Sequence, residues 1–137
     1  MYKTLFLLAI VIIVVIACAN AKVSQGNDKV LVVTPANFKD ALDKDSTIFL
    51  LDVRTADEYA EGHLKGAQLL DWKQTEAFKE GAKAFDKAKT VYVYCRSGRR
   101  SNAAAHYLAE EGFTVVDMDG GILAWTSNGF PTVSADE

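Results

Sequence analysis

A chain of 137 residues can bury about two-thirds of its unfolded surface in one core, so it reads as a single domain that needs no disulfide or metal staple. Charged residues make up 24% of it, with a net charge of −3, and the basic ones form no long stripe, which speaks against a nucleic-acid partner. The hydrophobic share of 50% is inflated by the N-terminus.

There, Lys3 is the only charge ahead of an apolar run from Leu5 to Ala17. The run is too short for a membrane span of about 20 residues but suits the apolar region of a signal peptide. Residues 1–21 are therefore expected to direct export, 22–29 to form a tether, 30–133 the domain and 134–137 a tail. Two cleavage readings stand side by side. Ala19-Asn20-Ala21 has the form of an ordinary signal-peptidase site, while Val15-Ile16-Ala17-Cys18 resembles a bacterial lipobox in which Cys18 is lipidated. The lipobox is preferred, and an uncleaved anchor is disfavoured by length. The expected location is the periplasm of a bacterium, free or tethered by an N-terminal lipid. On either cleavage reading Cys95 is left without a disulfide partner in an oxidising compartment.

The domain opens with a strand at Val30 to Val33. Thr34-Pro35 is an N-cap followed by proline at the first helical position, and Phe38, Ala41 and Leu42 then fall at helical spacing as far as Asp43. Ile48 to Val53 is apolar without alternation, as in a parallel strand covered on both faces. Thr55-Ala56-Asp57-Glu58 has the form of a capping box. After a glycine-bracketed turn, Glu61 to Ala67, a short strand is expected over Ala67 to Leu70, and then a helix from Lys73 to Lys87 loosened by Gly81. Val91 to Tyr94 is the next strand, Ser101 to Glu111 an alanine-rich helix closed by Gly112, and Phe113 to Met118 the last strand. Gly120-Gly121 leads into Ile122 to Trp125 and a turn at Asn128 to Pro131. The alternation of strand and helix argues an α/β domain with a mostly parallel sheet and right-handed crossovers.

The chemistry is concentrated in Thr90 to Ser101, TVYVYCRSGRRS. An apolar strand delivers Cys95 to a loop of Arg96, Ser97, Gly98, Arg99 and Arg100, and a helix starts at Ser101. A thiol attacks as its thiolate, which is favoured beside arginines and at a helix N-terminus. Gly98 allows the loop to curl with its amides facing inward, making an anion cradle around one sulfur. In an open α/β sheet such a loop lies beyond the carboxyl ends of the strands, where ligands bind.

Four segments in this order, LDVR (Leu51 to Arg54), EGHLKGA (Glu61 to Ala67), VYCRSGRRS (Val93 to Ser101) and GGILAWTSNGFP (Gly120 to Pro131), make the chain similar to a single-domain rhodanese, a sulfurtransferase. The resemblance spans about Val30 to Pro131. It implies a three-layer domain around a five-stranded parallel sheet, an active-site loop after the fourth strand and a persulfide intermediate. It also implies that Cys95 is the sulfur-carrying nucleophile and that the amides from Arg96 to Ser101 form its cradle. Expected partners are a small anionic donor, thiosulfate or polysulfide, and an acceptor, a thiol or cyanide. Neither an organic cofactor nor a metal is expected, and the oligomeric state is expected to be monomer.

Related dual-specificity phosphatases place five residues between cysteine and arginine. Here four, Arg96 to Arg99, separate Cys95 from Arg100, and Ser101 stands where a phosphatase needs arginine. That favours one sulfur atom over a phosphoryl group. A sulfur or oxyanion carrier without turnover is the main alternative, and a small phosphatase or arsenate reductase a weaker one. Arg96 and Arg99 are assigned to incoming substrate, and Arg100 to loop geometry as much as to binding. Asp52, Arg54, Glu58 and His63 are read as structural support: an ion pair tying the second strand to the loop, and a histidine fixing its turn through a backbone hydrogen bond. His106 shares a solvated helical stripe with Asn102 and Glu110, and Trp125 locks the final helix.

Overall fold

The computed structural model describes residues 30–135. Five parallel strands, β1 (Val30–Val33), β2 (Phe49–Asp52), β3 (Gln68–Leu69), β4 (Val91–Tyr94) and β5 (Val115–Met118), form one sheet in the order β1-β5-β4-β2-β3. Five helices cover it: α1 (Pro35–Lys44), α2 (Ala56–Glu61), α3 (Thr75–Ala82), α4 (Arg99–Glu110) and α5 (Gly121–Ser127). The α/β class and the five-stranded parallel sheet expected from the sequence are both observed.

The local signals account for several element starts. Thr34 caps α1 by accepting the Asn37 N–H, and Pro35 occupies its first turn. At α2 the capping box is complete: Thr55 accepts from the Glu58 N–H, and the Glu58 carboxylate accepts from the Thr55 N–H at 3.0 Å. Alternation along the central strands divides the core in two. Leu51, Val53, Val91, Val93, Cys95 and Val115 pack beneath α3 and α4 with Phe78, Ala104, Ala105 and Leu108. Leu50, Tyr94, Val116 and Met118 face the other way, with Phe38 of α1 and Ile122 and Trp125 of α5. Trp125 is buried, and its indole N–H donates to the Pro131 carbonyl at 2.9 Å, which fastens the closing turn to α5.

Two expected boundaries are corrected. The helix read over Lys73 to Lys87 ends at Ala82, and tight turns follow, with Ala84 N–H bonding Gly81 O and Phe85 N–H bonding Ala82 O. Phe78 and Phe85 share the α3 side of the core, but Phe85 reaches it from a turn. The helix expected from Ser101 starts at Arg99, because Gly98 is its N-cap. Arg99 and Arg100 are thus first-turn helical residues rather than loop residues.

Candidate active site

β4 lies between β5 and β2, so Cys95, which follows Tyr94 directly, leaves the middle of the sheet at its carboxyl end. Strand alternation puts its side chain on the α4 face, where it is 1% exposed. Three residues on, Gly98 holds φ at 102°, a left-handed conformation that reverses the chain, and its N–H donates to Cys95 Sγ at 3.1 Å. As the N-cap of α4, Gly98 offers no side chain to the helix's first amides. Asn102 N–H is the first to reach a carbonyl, that of Gly98, at 3.0 Å. The amides of Arg99, Arg100 and Ser101 have no intrahelical acceptor and form, with the helix dipole, a positive end beside the sulfur. A negative sulfur or oxyanion is what this arrangement stabilises.

The loop is clamped from the far side by the start of α5. Ile122 N–H donates to Cys95 O at 2.9 Å, and Leu123 N–H to Arg96 O at 3.2 Å. So close an approach requires glycine at position 121, which adopts φ of 61°; a Cβ there would stand 2.4 Å from Arg96 O and 2.5 Å from Cys95 O. The Gly120-Gly121 pair is therefore part of the site's construction.

The basic residues have separate positions. Arg96, Ser97 and Arg99 are exposed, while Ser101 is fully buried. Arg100 is engaged elsewhere: its guanidinium makes a forked pair with Glu58 at 2.8 and 2.9 Å. Hydrogen bonding to Arg100 is the main reason that the Glu58 carboxyl is held down at about 2, and the same bond raises Arg100. Glu58 thus fastens α2 to the first turn of α4 and does not join the Asp52–Arg54 pair. A shallow groove of about 230 Å³ beside the loop is lined by Arg54, Glu58, Gly62, Leu123, Thr126 and Thr132 among others.

Asp52, Arg54 and His63 stand apart from the sulfur. Asp52 is buried on the opposite sheet face and pairs with Arg54 at 2.7 Å; Arg54 also donates to Gly62 O at 2.7 Å. His63 Nδ1 lies 2.9 Å from Tyr59 O, with its ring stacked on that of Tyr59. Cys18 lies outside the described residues. Among the described residues no cluster of histidine, cysteine, aspartate or glutamate is placed to hold a metal ion, and no helix is long and apolar enough to cross a membrane.

Sequence reading missed three contributors. Gly121 was seen only as a chain punctuation, since its neighbours come from a distant segment. Tyr94 looked like one more apolar strand residue, yet its hydroxyl donates to Asp52 Oδ2 at 2.6 Å and accepts from Leu64 N–H at 3.1 Å. Asp117 is an acid inside the strand VVDM, a visible anomaly, and is 2% exposed close to the first turn of α4.

The model of the rhodanese-like domain matches residues 34–128. A putative sulfurtransferase of Bacillus subtilis, YtwF, is 34% identical over 93 residues, covering 68% of this chain and 87% of the relative. Thiosulfate sulfurtransferase GlpE of Coxiella burnetii is 36% identical over 95 residues, covering 69% and 85%. The crystal structure of a rhodanese-related protein from Thermoplasma volcanium superposes with a TM-score of 0.68 at 27% identity, covering 75% of this chain and 97% of that one. With the sheet, the cysteine loop and the double-glycine clamp all in one frame, the chain belongs to the rhodanese-like family, among whose sulfurtransferases its relatives are found.

Proposed function

We propose that this domain moves a sulfane sulfur from thiosulfate or polysulfide to a thiophilic acceptor, a thiol or cyanide, by way of a persulfide on Cys95. The observation that carries the reading is the Gly98 N–H on Cys95 Sγ at the uncapped start of α4. That end stabilises a negative sulfur in the thiolate, and again once a second sulfur has been added.

The transfer is a double displacement. Arg96 and Arg99, exposed on the rim, draw in the anionic donor. Cys95 thiolate attacks the outer sulfur of thiosulfate, a sulfur–sulfur bond forms to Cys95, and the donor's own sulfur–sulfur bond breaks with its electron pair leaving on sulfite. The persulfide's terminal sulfur is then attacked by cyanide or a thiolate, which regenerates the Cys95 thiolate. Arg100 orients the first turn of α4 through Glu58 and leaves substrate contact to its neighbours.

The four-residue spacing from Cys95 to Arg100, with Ser101 buried in place of a phosphate-binding arginine, supports sulfur over phosphoryl chemistry. The relatives named as sulfurtransferases support turnover over simple carriage. Export, with Cys18 as lipid tether, and a monomeric state belong to the same proposal; the apolar run before Cys18 supports the first. Sulfur loading followed by thiocyanate release is the test: wild type does both repeatedly, and Cys95→Ser does neither while remaining folded. A single loading without turnover would place the carrier reading ahead.

A further inference from the structure

Asp117 is a buried acid that the transfer cycle above does not use. It lies on β5 opposite Val93 of β4, and strand alternation turns both side chains to the face that carries Cys95 two residues on. Sheet spacing places the Asp117 and Cys95 Cα atoms about 8 Å apart. Its Oδ1 is buried without a hydrogen-bond partner among the described residues. Its nearest polar company is the first turn of α4, the Ser101 and Asn102 side chains. Ser101 Oγ also donates to Gly98 O at 3.2 Å, and the same glycine's N–H rests on Cys95 Sγ. A chain of contacts therefore runs from the carboxyl through Ser101 and Gly98 to the sulfur.

We propose that Asp117 is a positioning residue for the sulfur loop: neutral, it keeps the loop set for loading, and ionised, it opposes the approach of the anionic donor. The proposal rests on the sulfur-transfer reading. Protonated, Asp117 donates to Ser101 Oγ and leaves the serine proton on Gly98 O, which keeps the Gly98 amide on the sulfur. Ionised, it competes for that proton and sets a second negative charge behind a site built for an anion. The remaining groups around it do not neutralise that charge fully. Asp119 at its own strand end repels it, His106 on α4 is exposed, Arg100 is engaged with Glu58, and β1 offers only valine and leucine. Burial, partly offset by Ser101 and Asn102, raises the free carboxyl to about 6. Thiolate and persulfide carry the same charge, so the penalty of an ionised Asp117 falls on the approach of the anionic donor.

The test measures the rate of sulfur loading by intact mass across about pH 5 to 8 for wild type and Asp117→Asn, with carbon NMR following the Asp117 carboxyl in the reduced protein. The expected result is a ratio of the two loading rates that changes with pH as Asp117 titrates. Loading of Asp117→Asn should exceed that of wild type by about tenfold or more near pH 8 and converge with it near pH 5. A ratio of the two loading rates that stays constant with pH overturns the proposal and leaves sulfur transfer standing. A wild type that gains no sulfur at all overturns both.

Discussion

Tyr94 joins three segments through one hydroxyl: it donates to Asp52, accepts from the Leu64 amide and presents its ring to the Arg54 guanidinium 5.6 Å away. Burial, then the Asp52 charge, push its phenol up, so it stays a donor at any working pH. Tyr94→Phe leaves a buried carboxylate one donor short and a buried amide without an acceptor. The expected loss is about 1–3 kcal/mol, read from the urea midpoint, with α/β content retained. An unchanged midpoint would mean that the Asp52–Arg54 pair is held without it. At this scale the sequence was legible where function depends on local order, as in cysteine, arginines and glycine on one turn. It was opaque where partners are distant: Glu58 meets Arg100 from 42 residues away, and spacing along the chain pointed instead to Arg54.

Elements read well from their start signals, Thr34-Pro35 and the Thr55–Glu58 box above all, because a cap is a local interaction. Ends were less legible. Gly81 and a run of charged residues let α3 stop at Ala82, and periodicity could not separate a helical Phe85 from one delivered by turns. The start of α4 was misplaced by two residues because a glycine N-cap carries none of the usual side-chain signal. The joint between α5 and the cysteine loop is tertiary in origin, and its test is Gly121→Ala. A methyl group at that Cα meets two backbone carbonyls and a left-handed φ. The expected cost is about 2–4 kcal/mol, with sulfur loading slowed further than stability alone explains because the Cys95–Arg96 peptide is displaced. Unimpaired loading in a folded Gly121→Ala protein would show that the clamp does not position the loop.

Across the whole molecule, Glu58 and Asp117 pull stability in opposite directions with pH. Glu58, held down at about 2, contributes stability that is complete above its unfolded value of 4.5 and lost as pH falls through its folded value. Asp117, raised to about 6, contributes stability that is complete below 3.8 and lost as pH rises through its folded value. Stability should therefore peak on the acidic side, near about pH 4. Urea midpoints across the range check this: Glu58→Gln should remove the acid limb and Asp117→Asn the decline toward neutrality, whereas a midpoint that falls steadily from neutral to acid would contradict it. The central claim is covalent chemistry at Cys95, and intact mass of the purified domain tests it most directly. Treatment with thiosulfate should add one sulfur, about 32 Da, which cyanide removes and Cys95→Ser never acquires. An unchanged mass after thiosulfate and polysulfide alike would contradict the persulfide cycle.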